Sequence, residues 1–272
     1  MIRFLLAILW IGFSSPLLAA FDYPSPTARS AGTGNSHLAS TLTVEGFLLN
    51  PALSINAGGV HLGLNYFRLY NMKELGFASG YGVLPVRSFA GGIGIQRFGG
   101  SLYSETKVTL NVAGQFYEGR FAAGVSVHWY QVSARNYPAL TAVGVDVGVR
   151  VQVTSGVHFA AVVENLNRPH LGGHEEELPQ GIRMGVEYRP VEGLAIYAAV
   201  EKDGRYAPEV HVGMAYRLIP SLVLFSGFST YTSVPALGIE LKVTRLRVNY
   251  TIQHHFDLGP THFVGIAFGA GR

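Results

Sequence analysis

Apolar and polar positions alternate with a period of two along much of this chain of 272 residues. From Val143 to Val153 every second residue is valine, and the residues between them are small, polar or charged. Successive side chains of a strand point to opposite faces, so this segment predicts a strand with one aliphatic face. The same alternation recurs at 180–189, 234–244 and 246–255. It is typical of a membrane β-barrel, which is apolar toward lipid and polar toward its interior.

The chain from residue 58 to 272 divides into strands of nearly the ~9–11 residues that a tilted strand needs to cross a membrane. An even number of strands is expected of a bacterial barrel. The sequence therefore predicts an all-β fold, a transmembrane antiparallel β-barrel of about 14 strands. The predicted strands are 59–70, 72–83, 86–97, 104–117, 119–132, 140–153, 157–166, 180–189, 193–202, 208–218, 221–230, 234–244, 246–255 and 261–270.

The predicted connections alternate between long and short, with long links such as 133–139 and 167–179 and short turns such as 154–156. Outer-membrane barrels have short periplasmic turns and longer external loops. This parity predicts an outer-membrane protein with both termini in the periplasm. The first link, at Asn71, is too short for the pattern.

Composition favours a membrane barrel over a soluble one. Charged residues make up 14% of the chain, against roughly 25% in soluble domains, and 48% of residues are hydrophobic. A soluble β-sandwich, the alternative, would carry more surface charge. The net charge of +3 is small and scattered, which argues against nucleic-acid binding, and the absence of cysteine excludes disulfides and thiolate metal sites.

The N-terminus predicts an export signal followed by a short segment before the barrel. Residues 1–20 fit a signal peptide, with Arg3 before an apolar core and a cleavage site between Ala20 and Phe21. An uncleaved anchor helix is the alternative. Residues 21–57 are predicted to form a plug at the periplasmic mouth or inside the lumen, with a short helix or irregular structure over 37–49.

Several motifs give the chain a family resemblance. Ala28-Arg29, Gly32 and Gly34 are followed by Asn50-Pro51-Ala52, and later by Glu164-Asn165-Leu166 and Leu178-Pro179-Gln180. In this order they resemble the PorV/PorQ-type outer-membrane proteins, which are relatives of the FadL long-chain fatty-acid transporters.

The resemblance implies a 14-stranded barrel in which Asn50, Pro51 and Ala52 belong to a hatch that gates the lumen. It implies a non-enzymatic role in type IX-like protein secretion or surface attachment, with a translocon or exported proteins as partners. The alternative is FadL-like transport of hydrophobic small molecules. The Asn-Pro-Ala motif has a simpler interpretation as a turn into the first strand. Outer-membrane lipid and, through the last strand, the barrel-assembly machinery are expected partners in either case.

Charged residues on predicted inward faces are candidates to line the lumen. They form either a polar conduit or cross-strand ion pairs that fill the interior. Glu240 and Arg247 lie on adjacent predicted strands and are candidates for such an ion pair. The candidates are Asp146, Arg150, Arg183, Glu187, Glu240, Lys242 and Arg247.

Other chemistry is weakly indicated, and neither a cofactor nor a metal ion is expected. His170 and His174, with nearby glutamates, have a metal-like spacing, but the glycines between them oppose the helix that chelation needs. Ser126 and His128 share a predicted inward face, yet no acid follows at the next inward position, so the sequence predicts no enzyme. Aromatic residues near strand ends, including Tyr130, are expected to form interfacial girdles or, alternatively, a hydrophobic ligand pocket.

Overall fold

The structure, a computed structural model, describes residues 20–21, 25–173, 177–204, 207–230 and 234–271. The predicted signal peptide up to residue 19, and residues 174–176 of the loop considered for metal binding, lie outside the described residues. Within the described ranges, no helix has the length and apolar character needed to cross a membrane.

Fourteen antiparallel strands form a closed barrel, which confirms the predicted fold. Each strand pairs with its sequence neighbours, and the first pairs with the last, so every described strand has a partner strand on both sides. The strands are β1 Gly59–Arg68, β2 Gly76–Val86, β3 Phe89–Gly99, β4 Tyr103–Phe116, β5 Phe121–Ala134, β6 Leu140–Thr154, β7 Val157–Glu164, β8 Gly181–Tyr188, β9 Leu194–Asp203, β10 Glu209–Ile219, β11 Leu222–Ser229, β12 Val234–Val243, β13 Leu246–His255 and β14 Gly259–Gly271.

The outer surface of the barrel carries the apolar side chains of each alternating strand. On β1, Leu62 and Leu64 are exposed, while the intervening Gly63 is buried. On β6, Val143 and Val153 are exposed and Asp146 and Arg150 are buried. The face that the sequence assigns to lipid is therefore the outward one.

The first link of the barrel is longer than predicted. Residues Leu69–Asn71 and Lys73–Leu75 form two 3-10 turns, so β2 begins at Gly76 instead of residue 72. Tyr70 and Asn71 have φ angles of 52° and 59°, a left-handed conformation that ends β1. This link lies at the same end of the barrel as 165–180, here called the long-link end. The opposite end, which contains Gly59 and Gly271, is called the short-turn end.

The wall of the barrel is uneven in height at the long-link end. β6 has 15 residues, whereas β7 and β8 have 8 each. Beyond the ends of these short strands, at the long-link end, the link 165–180 takes their place in the barrel wall. The Leu166 amide donates to the Val145 carbonyl at 2.8 Å, and the Asn167 side-chain amide donates to the Val143 carbonyl at 2.7 Å. The half of β6 nearer the long-link end is therefore paired with β5 on one side and with a loop, instead of β7, on the other.

The segment before β1 lies inside the lumen as a plug, defined here as residues 25–57. Its helix α1, Ala28–Gly32, is capped by the Thr27 hydroxyl oxygen, which accepts a hydrogen bond from the Ser30 amide. Two 3-10 helices follow, Glu45–Leu48 and Pro51–Asn56, and the rest is irregular. Most of these residues are buried, and the chain passes from the long-link end, where Phe21 lies, to β1 at the short-turn end.

Candidate functional site

The plug separates two cavities inside the barrel, and their lining residues do not overlap. The outer cavity, at the long-link end, has a volume of about 140 Å³. The inner cavity, at the short-turn end, has a volume of about 400 Å³. The outer cavity is lined by Phe21, Leu48, Lys107, Tyr130, Asp146, Glu164, Leu178, Arg183 and Glu201, among others; Arg29, Arg217, Glu240, Lys242 and Arg247 line part of the inner one.

Asn50 fixes the Asn-Pro-Ala segment to both the plug and the barrel wall. Its side-chain oxygen accepts from the Ala52 amide at 3.0 Å and so caps the second 3-10 helix. Its side-chain amide donates to the Leu38 carbonyl at 2.8 Å and to the Val149 carbonyl of β6 at 3.3 Å. Because Asn50 is fully buried, each of these hydrogen bonds satisfies a group that water does not reach.

Pro51 packs against two glycines that face each other on β5 and β6. Gly124 and Gly148 are paired across the strands, and a Cβ on Gly124 would overlap the Pro51 carbonyl. A Cβ on Gly148 would overlap the Asn50 side-chain oxygen. The Pro51 carbonyl also accepts from the Asn111 side-chain amide of β4 at 3.0 Å. The Asn-Pro-Ala segment is therefore packed against the barrel wall as part of the plug. The simpler interpretation, a turn that leads into β1, does not describe these contacts.

A buried ion pair joins α1 to the wall. Arg29 Nη1 lies 2.8 Å from Glu240 Oε2 of β12, and the exposed fractions of the two side chains are 5% and 7%. Burial alone would lower the pKa of Arg29, but the carboxylates of Glu240 and Glu45 outweigh burial and raise it. The candidate pair of Glu240 with Arg247 is not formed, because the plug brings Arg29 to Glu240. Arg247 instead contacts His61 Nδ1 at 3.1 Å.

Two plug groups beside Arg29 have shifted pKa values. Burial, followed by the charge of Arg29, lowers the pKa of His37 to about 4. Burial opposes ionisation of Glu45, yet Arg247 and Arg29 outweigh it, so the pKa of Glu45 is lowered. The plug thus holds a neutral imidazole and an ionised carboxylate near neutral pH.

Other predicted lumen residues also hold the plug. The Glu187 carboxylate of β8 accepts from the Thr41 hydroxyl at 2.8 Å and from the Thr41 amide at 3.2 Å. Arg150 of β6 donates to the Ser40 carbonyl at 3.1 Å and to the Asn56 side-chain oxygen at 2.5 Å. These charged side chains therefore hold the plug in the lumen. Neither of the two alternatives that the sequence offered, a polar conduit or cross-strand ion pairs, predicted this arrangement. Lys242 is exposed at the inner cavity.

The remaining predicted residues, Asp146 and Arg183, border the outer cavity. Arg183 lies between two carboxylates, 3.4 Å from Glu164 and 2.8 Å from Glu201. Asp146 is paired with His128 of β5 at 2.7 Å. Sequence reasoning did not select Glu164 or Glu201 as lumen residues, although their inward positions follow from the alternation of β7 and β9.

His128 is part of a buried Thr-His-Asp chain. Its Nε2 donates to Asp146, so in the neutral ring Nδ1 accepts from the Thr109 hydroxyl at 2.9 Å. The acid that is missing along β5 thus comes from the neighbouring strand. Thr109 is 1% exposed and does not line either cavity, so the arrangement presents no accessible nucleophile.

One side of the outer cavity is aromatic and aliphatic. The rings of Phe21 and Tyr130 meet edge to face with their centroids 4.7 Å apart, and Leu171 and Leu178 complete the cluster. Lys107 Nζ lies 5.3 Å above the Tyr130 ring. Tyr130 is buried and faces the lumen, so for this residue the girdle interpretation is wrong.

Comparison with solved structures places the fold among known transport barrels. The Pseudomonas putida toluene transporter TodX has a TM-score of 0.68 and 13% identity, over 92% of this chain and 98% of its own. A TodX monoaromatic hydrocarbon channel mutant has a TM-score of 0.70 and 12% identity, over 91% and 98%. A Pseudomonas aeruginosa FadL homologue has a TM-score of 0.59 and 11% identity, over 90% and 96%.

No protein-family model matches this chain, and no curated protein sequence matches it. At 11–13% identity, the likeness to solved structures concerns the fold. The PorV/PorQ part of the resemblance stays a prediction. The chain has the fold of the FadL-like β-barrels.

Proposed function

We propose that this protein is a non-enzymatic outer-membrane transporter of small hydrophobic molecules, with the outer cavity as its ligand-binding site. The observation that carries the proposal is the aromatic contact inside that cavity, where the Phe21 ring packs on Tyr130 beside Leu171 and Leu178. The cavity already accepts an aromatic ring from the protein itself. A ligand ring can pack beside Phe21 or replace it.

The size of the outer cavity agrees with a ligand of one ring. Its volume is about 140 Å³, and an apolar cavity of about 150 Å³ is known to hold benzene. Charged side chains, Lys107 and Arg183 among them, occupy the other side of the cavity. We therefore expect a small apolar body, with any polar end group turned toward this charged side, which carries Asp146, Glu164 and Glu201 as well as the two cations.

The fold supports this function over a secretion role. The structures with the same fold include a toluene transporter and a monoaromatic hydrocarbon channel. A role in protein secretion or surface attachment remains the alternative prediction. In the proposed orientation the long-link end faces outward. The C-terminal end of β14 is then periplasmic, whereas Phe21, where the predicted mature chain starts, lies at the outer end of the lumen.

The binding site is tested by equilibrium binding of toluene to the purified full-length barrel in detergent. We expect Tyr130→Ala to weaken toluene binding at least tenfold, because it removes the ring that forms the apolar side of the cavity. Tyr216→Ala removes an outward-facing tyrosine and is the matched control. Equal affinity of the Tyr130→Ala variant and the wild type would contradict the proposed site.

The route into the cavity is proposed to pass the link 165–180, which covers the short strands β7 and β8. The chain contains no cysteine, so an introduced pair of thiols is unambiguous. A disulfide between Val145→Cys and Leu166→Cys, whose backbones are hydrogen-bonded at 2.8 Å, locks this link to β6. We expect it to slow toluene uptake into proteoliposomes until a reductant is added.

A control disulfide between Val125→Cys and Val147→Cys joins paired positions within the wall and leaves the link free. Uptake that is unchanged by the first disulfide would exclude this route.

Purification of the barrel from its native membrane with mild detergent distinguishes transport from protein secretion. A co-purifying translocon or exported protein supports secretion, whereas a lone barrel carrying a hydrophobic ligand supports transport.

A further inference from the structure

A cluster of potential metal ligands lies on β9 and β10 beside the outer cavity. Glu201 of β9 is paired in register with Glu209 of β10, and His211 is two residues further along β10 on the same inward face. One ligand atom from each of these three residues lies within 4.8 Å of the others. Because the residues sit on adjacent, hydrogen-bonded strands, the backbone fixes their spacing.

The plug sets the tautomer of His211. Its Nδ1 lies 2.9 Å from the Gly34 carbonyl, and a carbonyl only accepts, so Nδ1 carries the proton. In the neutral imidazole, Nε2 then presents a lone pair. Metal-binding histidines are commonly oriented in this way, by a hydrogen bond from the other ring nitrogen to a carbonyl.

The free nitrogen of His211 points at carboxylates. Nε2 lies 3.4 Å from Glu201 Oε2 and 3.8 Å from Glu209 Oε2. His211 is 4% exposed, and among the described residues its Nε2 has no hydrogen-bond partner of good geometry. A buried lone pair facing two carboxylates is repulsive, and a cation between them would remove the repulsion.

We propose that Glu201, Glu209 and His211 form a binding site for a divalent transition-metal ion, with Zn²⁺ as the best fit. Bonds of 2.0–2.2 Å in tetrahedral zinc sites set neighbouring ligand atoms about 3.4 Å apart, close to the 3.4 and 3.8 Å between His211 Nε2 and the two carboxylate oxygens. Three protein ligands leave one position for water or for a polar group of a cavity ligand. Arg183 binds the other oxygen of Glu201 at 2.8 Å and leaves Oε2 directed at His211. The site departs from the expectation that the chain binds no metal.

The test is a Zn²⁺ titration of the full-length barrel after removal of any tag and treatment with a chelator. We expect His211→Gln to remove one zinc site per barrel, and Glu209→Gln to weaken that site at least tenfold. His158→Gln is the matched control, because His158 is also a lumen histidine beside a carboxylate, 3.4 Å from Glu187. Zinc bound by exposed histidines is unaffected by these variants.

A second measurement does not depend on how well the variants fold. Crystals of the wild-type barrel grown with Zn²⁺ should show anomalous scattering about 2.0–2.1 Å from His211 Nε2. Absence of that peak would overturn the proposal. Equal zinc stoichiometry and affinity of the wild type and the His211→Gln variant would overturn it as well.

Discussion

The buried ion pair between Arg29 and Glu240 is predicted to hold the plug in the lumen. Glu240→Gln keeps the size of the side chain and removes its charge, which leaves the Arg29 guanidinium buried without its carboxylate. Removing one partner of a buried pair costs about 3–5 kcal/mol. Glutamine retains one hydrogen-bond acceptor, so we expect the lower end of this range, about 3 kcal/mol.

Such a change shifts the equilibrium between the docked and the released plug about 100-fold toward release. Hydrogen–deuterium exchange of the plug amides measures this equilibrium. The amide of Asn35, which donates to the Ser30 carbonyl at 2.8 Å, is a suitable reporter. We expect its protection to fall about 100-fold in the Glu240→Gln variant, with the amides of the barrel strands unchanged.

Two further variants make the experiment decisive. The double variant Arg29→Met, Glu240→Gln removes both charges of the pair, and Arg247 still compensates the nearby Glu45 carboxylate, so it should recover most of the lost protection. The exposed pair of Arg217 and Glu192, 3.8 Å apart, is the control, and Glu192→Gln should change stability by about 1 kcal/mol or less. Wild-type protection in the Glu240→Gln variant would refute the assigned role of the pair, as would equal loss in plug and strands.

Three other predictions concern the plug. Asn50→Ala leaves the Ala52 amide and the Leu38 carbonyl without their partner. Each unpaired buried group destabilises the docked plug by roughly 1–3 kcal/mol, so the open probability of the lumen in single-channel recordings should rise. Gly148→Val places a side chain where the Asn50 oxygen lies, and a crystal structure of this variant should show the Asn-Pro-Ala segment displaced. The pKa of His37 is about 4 in the docked plug and 6.5 when the side chain is unburied. Protonation of His37 therefore weakens docking as the pH falls from 6.5 to 4, by roughly 3 kcal/mol in total. Above pH 6.5 His37 is neutral in both states and does not affect docking. Exchange rates of plug amides across this range should rise on acidification, and His37→Gln should reduce that rise.

The strands could be predicted because their signal is local. The lipid-facing and lumen-facing residues alternate along each strand, so a single strand such as β6 displays the pattern completely. Closure into a barrel follows from the need to pair every strand edge in lipid. The start of β2 could not be predicted, because the left-handed Tyr70 and Asn71 end β1 without a glycine to indicate it.

The partners of the lumen charges could not be predicted from strand alternation. Alternation identifies Glu240 and Glu187 as inward-facing, but their partners Arg29 and Thr41 belong to the plug, whose path has no periodic signal. The acid beside His128 lies on the next strand, at a position that depends on register. The cluster of Glu201, Glu209 and His211 likewise needs the β9–β10 register, although the Glu-x-His spacing on β10 is visible in the sequence.

The most direct test of a plugged barrel that binds a small hydrophobic ligand is a crystal structure of the wild-type protein with bromobenzene. Anomalous scattering from bromine locates the ring independently of the protein coordinates. We predict a bromine peak in the outer cavity, between Tyr130 and Leu178, with the plug still docked. Bromine found only on the lipid-facing surface, with the cavity unchanged, would contradict the proposed transport function.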